Sequence, residues 1–323
     1  MTSSIRWMKR KMSKKKSSDV KKVLDLLDKE GIRRPGKRSM DRVATGLVAF
    51  DESVGGGLVR GRIYEIAGNE SAGKTTFTLE CAKAIQALGQ AVVYLDYEHA
   101  LDIDYAESIG LDVSEDMFIF DQPQTLQGGL EVGYKLIESG VVGMVIVDSV
   151  AAMVPSKELD GSEAIAQQAR AFSAPLRKYI GMLSRTNTIA LFVNQVRADL
   201  STWGSGMTTP GGKALKFFAS VRMFLSARKS KAYDNGIRTK ISIWKSKVSM
   251  EQRGKSEYEI RPGVGVVREE ELLDIAKEKG LISERAGIFK IKNGDDDKSF
   301  RGREKLMEFL KDERARDWIL KGT

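Results

Sequence analysis

The sequence predicts an α/β fold: a mostly parallel, twisted sheet with helices on both faces, a short N-terminal helical segment and a small α+β C-terminal domain. Three observations carry this. Between about residues 41 and 194, apolar strand-like runs alternate with stretches of helical spacing, the pattern of a parallel sheet covered on both faces. Residues 68–75 read Gly68-Asn69-Glu70-Ser71-Ala72-Gly73-Lys74-Thr75, a complete G-x-x-x-x-G-K-T loop with an apolar run entering it and a helix leaving it. Polar side chains close three of the apolar runs at their carboxyl ends, where open α/β sheets bind ligands.

The composition bounds what this fold can do. At 323 residues with 41% hydrophobic content, the chain supports one large core with additions, or two modest domains. A formal net charge of +9 points to a polyanionic partner, nucleic acid ahead of a membrane surface. Part of that charge is a local basic arm: Arg6, Lys9, Arg10, Lys11, Lys14, Lys15, Lys16, Lys21 and Lys22 face only Asp19. Cys81 is the one cysteine and His99 the one histidine, which excludes disulfide frameworks and Cys/His zinc sites. The longest apolar stretch, Val141 to Val154, contains Asp148 and is too short to span a bilayer, so no membrane association and a reducing, soluble compartment are expected.

The elements follow in order. Val20, Val23, Leu24 and Leu27 share one face of a short helix that ends near Gly31, and residues 33–38, with Pro35 and Gly36, read as a linker. A helix so short must pack on its own core or on a neighbouring subunit. Strands are expected at 63–67, 91–96, 117–120, 144–148 and 189–194, with helices at 75–88, 105–109, 126–139 and 164–185 between them. Residues 156–168 and 197–212 read as long loops, the second rich in Gly, Ser and Thr around Trp203. Strands at 221–227, 238–244 and 256–261 follow without long helices, as an antiparallel extension. A helix at 270–279, a hairpin strand at 287–292 and one charged amphipathic helix at 302–320 complete the chain. The expected organisation is 1–38, a basic arm and assembly helix; 39–266, the core; and 267–323, the C-terminal domain.

The loop at 68–75 implies nucleoside triphosphate binding. Its backbone N–H groups curl around a polyphosphate where a helix N-terminus adds partial positive charge. Lys74 reaches the β- and γ-phosphates, Thr75 offers a hydroxyl to Mg²⁺, and Thr76 continues into the helix. Asp148 ends its strand where an acid would hold Mg²⁺ through water, and Glu98 follows its strand as a carboxylate able to polarise water for in-line attack. Asn194-Gln195 ends a third strand with neutral amides suited to sensing the γ-phosphate. Trp203 on a loop suits stacking on a base or burial on binding, or else is an aromatic tucked against a surface loop. Lys245 and Lys247 lie two apart on a strand and share a face, aimed either at solvent or at a phosphate.

At this point the order of parts resembles the RecA recombinase family of bacterial type. The resemblance lies in Gly61-Arg62-Ile63-Tyr64-Glu65-Ile66, Asp96-Tyr97-Glu98-His99-Ala100-Leu101-Asp102, Val145-Ile146-Val147-Asp148-Ser149-Val150-Ala151-Ala152, Asn194-Gln195-Val196-Arg197 and the run from Gly211 to Arg222. It extends from about Lys21 into the C-terminal domain. It implies a RecA-like ATPase core, with ATP and Mg²⁺ as cofactors, that forms helical filaments on single-stranded DNA and exchanges strands with homologous duplex in recombination and repair. By that resemblance Glu98 is the catalytic carboxylate, aided by Lys74 and by Gln195 as γ-phosphate sensor. Asp102, Tyr105 and Gly263 lie on the base side of ATP. The two loops become DNA-binding loops, bringing in Ile165, Arg170, Arg197, Trp203, Gly211 and Gly212. Lys216, Phe217 and Arg222 fall at subunit contacts, and Lys245 and Lys247 reach the neighbour's ATP. Repressor and loader proteins join DNA as partners to consider, in a bacterial cytoplasm and the SOS response.

The sequence departs from the family pattern in places. Asn69 stands where proline is usual, both DNA loops are shorter, and Pro262 precedes Gly263 where an aromatic often covers the adenine. Residues 314–323 lack an acidic tail, which suits a phage-encoded or divergent bacterial member. Two rival readings share these motifs: a hexameric motor on the same core, and a DNA-coating filament with a vestigial ATPase. The absence of a zinc module and the stretch around Phe217 weigh against the first. The intact Lys74, Glu98, Asp148 and Gln195 weigh against the second.

Overall fold

The computed structural model describes Lys22 and residues 40–156, 162–198, 207–249, 256–292 and 297–321, with backbone alone at 162–169, 198 and 321. The chain divides into two compact units, Met1–Asp41 and Arg42–Thr323. In the first, Lys22 is helical; the rest of the expected basic arm, assembly helix and linker lies outside the described residues.

The second unit begins with β1 (Arg42–Val43), α1 (Val48–Ser53) and β2 (Leu58–Val59), which lead into β3 (Ile63–Gly68). The chain then alternates: α2 (Lys74–Gln86), β4 (Ala91–Asp96), α3 (Ile103–Ser108), β5 (Phe118–Asp121), α4 (Leu126–Glu138), β6 (Val142–Asp148), α5 (Ser162–Thr186) and β7 (Ile189–Gln195). A small ladder, β8 (Arg197–Ala198) with β9 (Met207–Thr208), precedes α6 (Gly212–Phe218), β10 (Val221–Lys229), β11 (Ile237–Ser246), β12 (Ser256–Arg261) and β13 (Gly265–Val267). Then come α7 (Arg268–Glu278), β14 (Ile282–Arg285), β15 (Ile288–Ile291), β16 (Lys298–Arg301), α8 (Arg303–Leu310) and α9 (Glu313–Lys321).

Among the described residues nine strands form one sheet, in the order β13-β12-β11-β10-β3-β7-β6-β4-β5. From β10 to β5 every neighbouring pair is parallel. Both faces are covered, so each strand alternates between two buried sides. Tyr64, Ile66, Tyr94, Ile146 and Leu191 pack with Phe77, Leu79 and Ile85 of α2. Ile63, Val93, Leu95, Val145 and Phe192 pack on the other side with Leu130 of α4 and Phe172, Leu176 and Tyr179 of α5. Removing both faces from water is the main stabilising term for such strands.

Three expectations are corrected. The strand at 221–227 is not purely part of an antiparallel extension: β10 pairs parallel with β3 on one edge and antiparallel with β11 on the other. The short helix α6 acts as a crossover, returning the chain in the direction of β3. The segment 156–168 is not all loop, because α5 already begins at Ser162. The single helix expected at 302–320 is two, broken at Lys311-Asp312, because Asp312 Oδ1 accepts the Arg314 N–H at 2.7 Å and starts a second helix. These last helices, α7 and the antiparallel sheet β14-β15-β16 bury their own cluster around Leu273, Phe289, Leu306, Leu310 and Ile319. Side chains of α7 fasten this cluster to α1, the turn before it and α2. Arg268 donates to Gly46 O at 2.6 Å and to Glu80 at 2.8 Å, and Glu271 Oε1 accepts the Ala49 N–H of α1 at 2.8 Å.

Candidate nucleotide site and the loops that leave it

The phosphate loop joins the carboxyl end of β3 to α2 through Gly73, whose φ of 82° is left-handed. Only glycine fits there: a Cβ would lie 2.4 Å from Ile260 Cδ1 and 3.1 Å from Thr239 Oγ1. Thr239 also donates its hydroxyl hydrogen to Ala72 O at 3.2 Å, so β11 and β12 brace the loop from behind. Asn69, Glu70 and Ser71 are exposed at the rim, whereas Gly68, Ala72 and Thr76 are buried. Lys74 Nζ folds back over the loop, donating to Asn69 O at 2.7 Å and Gly68 O at 3.2 Å. Burial lowers the Lys74 pKa, opposed by the charges of Asp148, Glu98 and Glu70.

The strand-end acids converge beside Lys74. Asp96 and Asp148 are direct neighbours on β4 and β6. Asp148, only 7% exposed, accepts the Tyr94 hydroxyl at 2.6 Å, and Thr75 Oγ1 lies 3.5 Å from the same oxygen. Burial first, then the nearby Glu98 and Asp96 charges, raise its pKa to about 6, against the Tyr94 hydrogen bond and Lys74. A divalent cation would relieve that buried charge. Among the described residues no three or more His, Cys, Asp or Glu converge to hold a metal by themselves. One hydroxyl and one acid beside a phosphate loop fit Mg²⁺, which binds through few protein ligands, substrate phosphates and water.

Glu98 and Gln195 meet across the sheet: Gln195 Nε2 donates to Glu98 Oε1 at 3.1 Å, and the Ser149 hydroxyl bonds the same oxygen. The amide, the carboxylate, Lys74, Thr75 and Asp148 therefore line one edge. On the flank, Asp102 Oδ1 caps α3 by accepting the Tyr105 N–H at 2.9 Å, and the Tyr105 hydroxyl lies 2.9 Å from Thr76 Oγ1. Gly263, with φ 72°, sits in the turn between β12 and β13, where a Cβ would meet nothing within 4 Å.

From Gln195 the chain runs into the 197–212 segment. Its base is the β8–β9 ladder, pairing Arg197 with Thr208, and it rejoins the core at Gly211, whose φ of 87° starts α6. Arg197 and Arg170 are both exposed. Trp203 and the Ile165 side chain lie outside the described residues. Beyond α6, Phe217 is 70% exposed and packs edge-to-face on Phe218 at 5.5 Å. Lys245 donates to Lys216 O at 2.7 Å and Phe217 O at 3.0 Å, and Lys247 to Phe217 O at 3.3 Å, so both cations gather on the carbonyl end of α6. Lys216 itself donates to Thr208 Oγ1 at 2.7 Å, while Arg222 turns inward to Glu65 at 2.5 Å.

The sequence reading missed Glu65, Tyr94 and Thr239. Glu65 had a visible signal, a carboxylate in the middle of an apolar parallel strand. Thr239 had none, because its partner Ala72 is 167 residues away in sequence.

The family profile described as the RecA N-terminal domain matches residues 16–267. The chain is 40% identical over 311 residues to the protein RecA of Rubrobacter xylanophilus, covering 93% of this chain and 89% of that one. It is 38% identical over 306 residues to the protein RecA of Enterococcus faecalis, covering 91% and 86%. With the protein RecA of Acholeplasma laidlawii the identity is 37% over 284 residues, covering 85% and 83%.

Proposed function

The chain belongs to the RecA family, and on that premise we propose that it is a DNA-dependent ATPase recombinase. It forms helical filaments on single-stranded DNA, pairs that strand with homologous duplex and exchanges strands in recombination and repair. ATP with Mg²⁺ is its cofactor, the metal supplying charge neutralisation of the phosphates where Thr75 and Asp148 would hold it. Among the described residues no helix is long and apolar enough to cross a membrane, and the bacterial cytoplasm is the proposed location. Repressor and loader proteins are proposed as further partners.

The observation that carries this reading is the Gln195–Glu98 hydrogen bond at 3.1 Å beside Lys74. Lys74 and the loop amides bind and orient the phosphates. Glu98 accepts a proton from the attacking water. Gln195 touches that carboxylate and begins the 197–212 segment, so one residue meets the reacting groups and the proposed DNA loop. Arg170, Arg197, Gly211, Gly212, Ile165 and Trp203 are the proposed DNA contacts. Phe217, with Lys216 and Arg222, is the proposed seat of the neighbouring subunit, and Lys245 and Lys247 reach that neighbour's phosphates after leaving the end of α6. A strand-exchange assay with circular single-stranded and linear homologous duplex DNA tests the proposal. ATP-dependent joint molecules and nicked circular product are expected; ATP hydrolysis without exchange would overturn it.

A further inference from the structure

Glu65 lies on β3, which is flanked in the sheet by β7 and β10. Its side chain is fully buried and serves both neighbours. Oε1 accepts Asn194 Nδ2 at 3.0 Å, and Oε2 accepts Arg222 Nε at 2.5 Å. Asn194 Nδ2 donates as well to Pro210 O at 3.0 Å, while Asn194 Oδ1 accepts the Gln195 N–H at 3.0 Å. Arg222 reaches on to Thr209 Oγ1 at 3.4 Å. The residue where the 197–212 segment leaves the sheet and the two where it returns are thus joined through one carboxylate.

Stability alone does not account for this arrangement. A parallel strand buried on both faces packs well with apolar residues, and a buried ion pair replaced by such residues commonly leaves a protein equally or more stable. What the carboxylate provides is direction: two acceptor oxygens that fix an amide on one strand and a guanidinium on the other. We propose that Glu65 is a positioning residue that couples the nucleotide sensor Gln195 to the DNA-binding segment 197–212. The proposal rests on the functional reading of Gln195 and of that segment given above. A shift of Gln195 pulls on the Asn194 amide, which Glu65 and Pro210 hold together, so the shift reaches the returning end of the segment. Arg222 carries the same constraint to Thr209.

Glu65→Gln tests the coupling. The variant keeps the volume and an oxygen for Asn194 but turns an N–H₂ toward Arg222 Nε, donor against donor. Affinity for a fluorescent ATP analogue and DNA-free hydrolysis are expected within about twofold of the parent, while the stimulation by single-stranded DNA falls about tenfold or more. Stimulation of parental size in the folded variant overturns the proposal. Basal and stimulated rates falling by one common factor also overturn it, since a purely structural role would act in that way. If Glu65→Gln does not accumulate as folded protein, Asn194→Ala keeps the Glu65–Arg222 pair and removes the link to Pro210. Loss of DNA stimulation is expected there too, and retained stimulation overturns the proposal. A parent protein that hydrolyses ATP without any DNA stimulation would overturn the functional reading itself, and this inference with it.

Discussion

Gln195 Nε2 donates to Glu98 Oε1 at 3.1 Å, an amide at the end of β7 bonded to a carboxylate just beyond β4. Between those strands in the sheet lies only β6, which ends in Asp148. The contact gives Glu98 a neutral hydrogen-bond donor, and it links the carboxylate to the segment starting at Arg197.

Glu98→Gln keeps the shape of the site and removes the proposed proton acceptor. Phosphate release is expected to fall about 10²- to 10⁴-fold while ATP-analogue binding persists, because general-base catalysis contributes on that scale. Hydrolysis at the parental rate would exclude Glu98 as the base.

Lys74→Ala deletes the cation proposed to bind the phosphates. A fluorescent ATP analogue should bind much more weakly than to Glu98→Gln, separating charge recognition from water activation. Titrations that give equal affinities for the two variants would contradict the assignment of Lys74.

Phe217 is 70% exposed, so Phe217→Ala should leave the melting temperature of the dissociated chain nearly unchanged. An aromatic at the centre of an interface is typically worth ~2 kcal/mol or more, so sedimentation with ATP and DNA should shift toward small species. Filaments of parental length would remove Phe217 from the interface.

Asp148 supplies a pH dependence. Its folded pKa of about 6 lies above the ordinary 3.8, so between these values the folded chain binds more proton than the unfolded chain. Stability of the ligand-free protein then falls as pH rises through that window and is level above it. Asp148→Asn should be more stable than the parent near neutral pH by about 1–3 kcal/mol, and the difference should vanish near pH 4. Denaturant melts at the two pH values check this. A difference that did not change with pH would show that Asp148 is not carrying a costly buried charge.

The parallel core and the phosphate loop were legible because each signal is local. Ile63, Ala91, Val145 and Ile189 begin or lie in continuous apolar runs, and Gly73-Lys74-Thr75 is set by spacing alone. Glu98, Asp148 and Gln195 were legible because a parallel sheet puts its strand ends on one side. What depends on pairing between distant strands was not. The parallel partner of β10, the brace from Thr239 to Ala72 and the inward turn of Arg222 to Glu65 all join residues more than 150 positions apart. The break at Asp312 was missed for another reason, since charged periodicity continues through it and only the side-chain cap on Arg314 interrupts the helix.

In the proposed function, nucleotide and DNA are read by one connected set of groups running from Glu98 through Gln195 into residues 197–212. Linkage between two sites is reciprocal, so the decisive measurement is single-stranded DNA affinity at fixed salt with a non-hydrolysable ATP analogue and with ADP, in the parent and in Gln195→Ala. DNA binding at least about fivefold tighter with the ATP analogue is expected in the parent, with no difference between nucleotides in Gln195→Ala. Equal DNA affinity in both nucleotide states of the parent, or an undiminished difference in Gln195→Ala, would contradict it.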